Sequence, residues 1–178
     1  GTIQDIAGVG EIVRKHDSLF LLDAAQTMGA VAIDLEAMNV DMVAFPGHKS
    51  LLGPTGIGGL YVGERAPECV EAAGVDDSLS TQGKLSPWRE GGTGGDSSTA
   101  TQPALFPYYL EGGTPNTVGI VGLQAALKYL DQHPPADHLK HEQAMVQKMI
   151  DRFKDDQRIT VHGPGDASKC VSTLSFTL

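Results

Sequence analysis

Apolar residues recur at helical or strand-like spacing along most of the chain. Helical periodicity predicts helices over residues 5–16, 115–133 and 136–154, and one helical turn over 35–38. Short apolar runs predict buried strands at 19–22, 42–45 and 58–62, and two more strands near 159–161 and 171–176. Between these elements, residues 78–101 are rich in Pro, Gly, Ser and Thr, which is typical of an extended loop system.

The order of these elements predicts an α/β fold in which helices cover a sheet. The Pro134-Pro135 pair breaks the helical pattern, and the helix and strands that follow have no evident partners in the first part of the chain. We therefore expect two units: residues 1–133 form most of one domain, and residues 134–178 begin a second.

Composition excludes some classes of function. The net charge of −9 argues against a nucleic-acid partner, because phosphate binding needs clustered Lys and Arg. The two cysteines, Cys69 and Cys170, form no metal-binding or disulfide pattern, and a reducing cytoplasm suits them. No apolar run is long enough to span a bilayer. The chain starts without Met and stops inside a strand-like run, so we expect an internal fragment.

Two polar residues follow the first buried strand. Asp23 comes directly after the run at 19–22, where open α/β sheets place their ligands, and its carboxylate could pair with a cationic ring nitrogen. The alternative is that Asp23 only caps a helix. Gln26 could donate its amide N–H to a ring oxygen, or it could be an ordinary polar residue on a helix surface.

A lysine follows the second buried strand, in the run Gly47-His48-Lys49. A desolvated lysine amine can form a Schiff base with an aldehyde, although most lysines are simple surface charges. His48 could donate to a phosphate or a ring oxygen, or make only a local hydrogen bond. The glycine-rich stretch 53–59 lacks the residues of a nucleotide-binding loop, and we expect it to fold tightly behind Lys49.

Three segments in this order carry a resemblance: Asp23-Ala-Ala-Gln26, then the stretch 44–61 around His48-Lys49, then Glu111-Gly-Gly-Thr-Pro-Asn116. Together they resemble the class V aminotransferase family, and most of all its cysteine desulfurase and selenocysteine lyase-like branch. The resemblance implies the large domain of fold type I, with a mainly parallel sheet flanked by helices, and the start of the small C-terminal α+β domain. It also implies pyridoxal 5′-phosphate (PLP) as cofactor, and a homodimer.

The resemblance implies a role for each matching residue. Lys49 would form the Schiff base and later move a proton, Asp23 would pair with the pyridine nitrogen, and Gln26 would contact the ring hydroxyl oxygen. His48 would contact the cofactor phosphate. Thr114 would reach the phosphate of the cofactor bound by the partner subunit. Gly94 and its neighbours would form a mobile loop near the site.

Some features of the family pattern are missing. Pro46 stands where many members have a phosphate-binding Ser or Thr. The arginine that grips the substrate carboxylate and the cysteine that accepts sulfur match no residue here, and neither Cys69 nor Cys170 is predicted to be a reactive thiol. The implied activity is removal of sulfur from L-cysteine to give L-alanine, with transfer to an acceptor protein. Selenocysteine lyase, an aminotransferase, and a catalytically incompetent fragment with structural or dimer contacts only stay open.

Overall fold

The computed structural model describes residues 1–66, 87, 89–92, 102–103 and 107–178. Within these residues the α-helices are α1 (Ile6–Lys15), α2 (Thr117–Gln132) and α3 (Pro135–Phe153). The strands are β1 (Leu21–Asp23), β2 (Met42–Pro46), β3 (Gly58–Val62), β4 (Thr160–His162) and β5 (Ser175–Thr177). None of the described helices combines the length and apolarity that a membrane crossing requires.

The first sheet has the order β1-β2-β3. β1 and β2 are parallel, with Asp23 opposite Ala44, so their carboxyl ends meet at one edge of the sheet. β3 runs antiparallel to β2, with Gly58 opposite Pro46. The connection after β2, residues 47–57, contains no helix, and this fits an antiparallel return because parallel crossovers usually contain one.

The core of this unit lies under β1 and β2. It is a cluster of four buried residues, Leu22, Ala24, Val40 and Val43. Seven partly buried side chains from α1, the turns and β2 pack around them: Ile6, Phe20, Met28, Ile33, Leu35, Met38 and Phe45. α1 therefore contributes Ile6 to this core, while its apolar residues Val9 and Ile12 are exposed.

One carboxylate is buried beside this core. Asp41 is only 4% exposed, and it directly precedes β2. Its Oδ2 accepts the Phe20 N–H at 2.8 Å, and its Oδ1 lies 3.1 Å from the Arg65 guanidinium. Arg14 of α1 approaches the same oxygen at 3.6 Å. Asp41 thus ties α1, the entry to β1 and the segment after β3 to the start of β2.

A second, smaller unit follows α2. β4 and β5 form an antiparallel pair, and α3 packs on them through Val146 and Ile150. Residues Ala167–Lys169 form one turn of 3₁₀ helix. The Ser168 hydroxyl donates to Asp166 at 2.7 Å, and this bond lowers the pKa of that carboxyl.

The N-terminal residues join this second unit. Ile3 donates its N–H to the Lys169 carbonyl, and Val171 donates to the Gly1 carbonyl, both at 2.8 Å. Thr2 and Cys170 form an antiparallel bridge between these two bonds. The chain start therefore packs against the segment just before β5.

The three predicted helices are confirmed to within two residues at each end, and residues 35–39 form the predicted turn. β1 begins two residues later than predicted and includes Asp23. The predicted strand at 171–176 is wrong over its first four residues. Only Ser175–Thr177 pairs with β4, because Val171 is already bonded to Gly1 and the chain bends at Ser172.

We predict that Asp41→Ala lowers the free energy of unfolding by about 2–4 kcal/mol, because it leaves a guanidinium and the Phe20 N–H without their buried acceptor. Denaturant unfolding of the variant measures this loss. Asp155→Ala, at an exposed position, is the control and should shift stability by less than about 0.5 kcal/mol. If Asp41→Ala lowered the free energy of unfolding by no more than Asp155→Ala does, the structural role of Asp41 would be contradicted.

Candidate functional site

Asp23 is the last residue of β1, and its side chain reaches the surface. Its Oδ1 accepts the Ala25 N–H at 2.9 Å, so the carboxylate fixes the start of the turn over residues 25–30. The Ala24 N–H donates to the Ala44 carbonyl at 2.9 Å, which extends the β1–β2 pairing past the strand end. Asp23 therefore caps a turn and not a regular helix, and it is held at the carboxyl edge of the sheet.

A cavity of about 590 Å³ opens beside Asp23. Gln26 lines it as well, so the structure brings these two predicted residues together. The other walls come from residues 2–7, 25–27, 31–33, Leu22 and Met38. A carboxylate and a carboxamide thus stand in a largely apolar recess, which suits a flat ring with a few polar atoms.

Lys49 lies in a tightly bonded loop after β2. The Gly47 N–H donates to the Ile57 carbonyl, and the Gly53 N–H returns to the Gly47 carbonyl, both at 2.8 Å. The Lys49 carbonyl accepts the Leu52 N–H at 2.8 Å, and Leu52 adopts a positive φ of 59°. Lys49 is half-buried and His48 is exposed. The loop over residues 47–57, hereafter the lysine loop, fixes the backbone of Lys49.

The lysine loop contacts the turn that follows Asp23. Gly29 adopts a φ of +82°, and a Cβ built there would lie 3.0 Å from the Ser50 carbonyl oxygen and 2.8 Å from Leu51 Cδ2. The backbones of the two turns therefore touch one residue beyond Lys49. Among the described residues, those that line the Asp23 cavity include neither His48 nor Lys49. The two halves of the predicted site adjoin at one sheet edge, and in the described part of the chain only the Asp23 half lines this cavity.

Thr114 lies in the exposed segment that leads into α2. It lines a different cavity, of about 480 Å³, with Gly58, Arg89 and Gly113 among the other walls. The structure thus places Thr114 beside the base of β3 and not with Asp23 and Gln26. Asn116, two residues later, caps α2 and also bonds to Gly56 of the lysine loop.

Of the two cysteines, Cys170 lies in the part of the chain that the structure describes. Cys170 is buried, and its thiol donates to the Asp166 carbonyl at 3.6 Å, which confirms the prediction that it is a small packed residue. Cys69 and Gly94 lie outside the described residues. In the part of the chain that the structure describes, no group of His, Cys, Asp or Glu is arranged to hold a metal ion.

Sequence reasoning missed two residues that organise this site. Gly29 was not singled out, although only a residue without a side chain fits its contact with Ser50 and its positive φ. Asn116 stands out in the sequence only as part of the 111–116 segment. Its signal was the Asn at the start of a predicted helix, which indicates a cap but not the bond to Gly56.

Comparison with known proteins gives the same family that the three sequence segments indicate. The family model for aminotransferase class-V matches residues 1–178. The chain belongs to the class V aminotransferase family.

Named relatives of the chain are cysteine desulfurases. A probable cysteine desulfurase of Pyrococcus abyssi is 30% identical over the whole chain. A probable cysteine desulfurase of Halalkalibacterium halodurans is 34% identical over 92% of it. This chain covers 41% and 37% of those two proteins, so it spans about two fifths of the relatives it matches.

Solved structures agree on the fold. A cysteine desulfurase of Escherichia coli, in its S-sulfonic acid form, superposes on 99% of the chain with a TM-score of 0.73 at 27% identity. The apo cysteine desulfurase of Thermococcus onnurineus superposes on the whole chain with a TM-score of 0.70 at 26% identity. The chain covers 40% and 41% of these structures. The predicted fold type I α/β architecture is thereby confirmed.

The described residues fit the cofactor of this family in their chemistry. The Asp23 carboxylate and the Gln26 amide stand in an apolar recess, and a half-buried lysine lies in the adjoining loop. These groups match a cationic ring nitrogen, a ring oxygen and an aldehyde, respectively. The Gly29–Ser50 contact lies between the turn after Asp23 and the loop that bears Lys49, so it joins the two halves.

We predict that Gly29→Ala destabilises the protein by about 2–4 kcal/mol, because a side chain at positive φ is strained and the new Cβ overlaps the lysine loop. Denaturant unfolding measures the effect. Gly92→Ala is the control, since a Cβ there meets none of the described residues within 4 Å, and it should be nearly neutral. Equal stability of the two variants would show that the two turns do not touch as described.

Proposed function

We propose that the protein carrying this chain is a PLP-dependent cysteine desulfurase that converts L-cysteine to L-alanine and passes the sulfur to an acceptor. The observation that carries the proposal is the contact between the Asp23 turn and the lysine loop at the shared edge of two parallel strands. The names of the relatives support the same reaction.

PLP, when bound, supplies an aldehyde that reacts with amines and a ring that withdraws electrons from the substrate. The Lys49 Nζ would be the amine that bonds this aldehyde, and it would also be the group that moves a proton at the substrate α-carbon. The Asp23 carboxylate would pair with the pyridine nitrogen, because an anion beside a basic nitrogen favours its charged form. The recess beside Asp23 is lined mainly by apolar residues, which suits the faces of a flat ring.

Three further residues bind and orient the cofactor in this proposal. Gln26, at the cavity wall beside Asp23, donates its amide N–H to the ring hydroxyl oxygen. His48 donates to the phosphate. Thr114 contacts the phosphate of the cofactor held by the partner subunit, so the active protein is a homodimer. The exposed position of Thr114 before α2 leaves its hydroxyl accessible to such a partner.

The same residues would serve a selenocysteine lyase or a class V aminotransferase. We favour the desulfurase because the relatives carry that name. The described thiol, Cys170, is buried and bonded, so the sulfur acceptor in this proposal is another thiol. The free thiol of Cys170 suits a cytoplasmic protein.

The division near residue 133 is part of the proposal. In this proposal residues 1–133 form part of the PLP-binding domain and residues 134–178 begin the small domain, while residues 1–3 pair across the boundary with residues 169–171. Two separate apolar clusters, around Val43 and around Ile150, support this division. A fragment with structural or dimer contacts only is the alternative, and the chain's share of its relatives, about two fifths, motivates testing it.

We predict that the protein made from the complete reading frame shows a visible absorbance band when PLP is added, and that Lys49→Ala abolishes it. The amine at position 49 is the group that bonds the aldehyde, so no other lysine replaces it. The measurement is an absorbance titration with PLP. Lys148→Ala, an exposed lysine on α3, is the matched control and keeps the band. A band that survives Lys49→Ala would refute the assignment of this lysine.

The reaction itself is tested by the products. With L-cysteine and a thiol acceptor, we predict equimolar L-alanine and acceptor persulfide, and in excess thiol a second thiol reduces the persulfide to sulfide and a disulfide. The rate for Lys49→Ala should be at least 1,000-fold lower, which is about 4 kcal/mol of barrier. Keto acid formation would assign an aminotransferase instead. A 178-residue chain without the absorbance band, beside a complete protein that has it, would identify this portion alone as incompetent.

A further inference from the structure

Asn116 uses both ends of its side-chain amide. Its Oδ1 accepts the Gly119 N–H at 3.0 Å and so caps α2. Its Nδ2 donates to the Gly56 carbonyl at 3.0 Å, across 60 residues of sequence. The orientation of the amide follows from the partners, since an N–H needs an acceptor and a carbonyl needs a donor. Only a carboxamide of this length satisfies both groups.

The bond to Gly56 acts on the far side of the lysine loop. The main-chain bonds of Gly47 close the base of this loop, at Gly53 and Ile57. Gly56 lies outside the inner ring of residues 47–53 and adopts a φ of +78°. Asn116 therefore fastens the outer part of the loop to the first turn of α2.

Close packing surrounds this bond. A Cβ built at Gly122 would lie 2.7 Å from Pro54 Cγ, and one built at Gly53 would lie 2.9 Å from Leu123 Cδ1. At each point a glycine of one element lies against a side chain of the other, so the lysine loop and α2 pack closely. This packing persists without Asn116, so loss of its bond to Gly56 should shift the loop and not unfold the protein.

The Asn116–Gly56 bond also holds the segment before α2. Thr114 precedes Asn116 by two residues, and Gly58 and Thr114 line one cavity. Asn116 is thus the side chain that couples the Thr114 segment to the loop that bears Lys49. If the proposed function holds, these are the two segments that hold the cofactor of one site and the cofactor phosphate of its partner.

We propose that Asn116 is a positioning residue for Lys49: through Gly56 it sets the place of the lysine loop, beyond its role as the cap of α2. This inference rests on the proposed function only for its consequence in cofactor binding. The structural link itself can be tested in the protein without PLP.

The decisive variant is Asn116→Asp. Aspartate caps helices as well as asparagine does, so the bond from Gly119 is retained. It has no N–H to donate, and its charge repels the Gly56 carbonyl. Gln124→Glu adds the same charge on an exposed position of α2 and is the matched control. Asn116→Ser is the second variant, because its hydroxyl caps the helix but is too short to reach Gly56.

The measurements are hydrogen exchange of the peptide over residues 47–57 in the PLP-free protein, and the Kd for PLP from the absorbance titration. For Asn116→Asp and Asn116→Ser we expect about tenfold faster exchange and about tenfold weaker PLP binding, with α2 exchange and the thermal midpoint near wild type. Gln124→Glu should match wild type in all of them.

Each of the following results either supports or overturns the role proposed for Asn116. The inference is overturned if Asn116→Asp and Asn116→Ser show the same hydrogen exchange and the same Kd for PLP as Gln124→Glu. Asn116 would then only cap α2. Unfolding of both the Asp and Ser variants also overturns it, because the role would be structural. A wild-type protein without the absorbance band refutes the proposed function, yet faster exchange of the lysine loop in Asn116→Asp would still support the link to Gly56.

Discussion

The parallel pairing of β1 and β2 is the constraint on which the rest of the site depends. Asp23 stands opposite Ala44, and the Ala24 N–H adds one more bond to the Ala44 carbonyl beyond the strand. Two strands that end together at one edge deliver their following turns to the same place. A carboxylate from one turn and a lysine from the other can then serve a single small molecule, as is usual at this edge of α/β sheets.

The second constraint is the absence of side chains where the turns meet. Gly29 lets the Asp23 turn contact the Ser50 backbone, while Gly53 and Gly122 let the lysine loop approach α2. Each contact lacks room for a Cβ, so the distance between backbones is fixed by packing. Such fixed loops suit a reaction in which an amine must meet an aldehyde in a set orientation. The buried Asp41 network, by contrast, stabilises the start of β2, at the other end of the sheet.

The sequence was sufficient for the parts that depend on local pattern. α1, α2 and α3 have strong helical periodicity. Asp23 and Lys49 stand out in the sequence because one ends a buried strand and the other lies shortly after the next, and their roles stay predictions. The antiparallel direction of β3 and the short length of β5 are harder to predict from the sequence. Both depend on pairing with strands that are distant in the chain. Asn116 and Asp41 were missed for the same reason: their partners lie 60 and 24 residues away, at Gly56 and Arg65.

Chemical trapping tests the central claim, that the lysine loop presents the amine that bonds the cofactor. Borohydride reduction of the PLP-loaded complete protein, followed by peptide mapping, fixes the pyridoxyl group on the lysine that held it. Our account predicts one modified peptide, with the group on Lys49 and stoichiometric labelling. Labelling of a different lysine, or only trace labelling spread over several surface lysines, would contradict it.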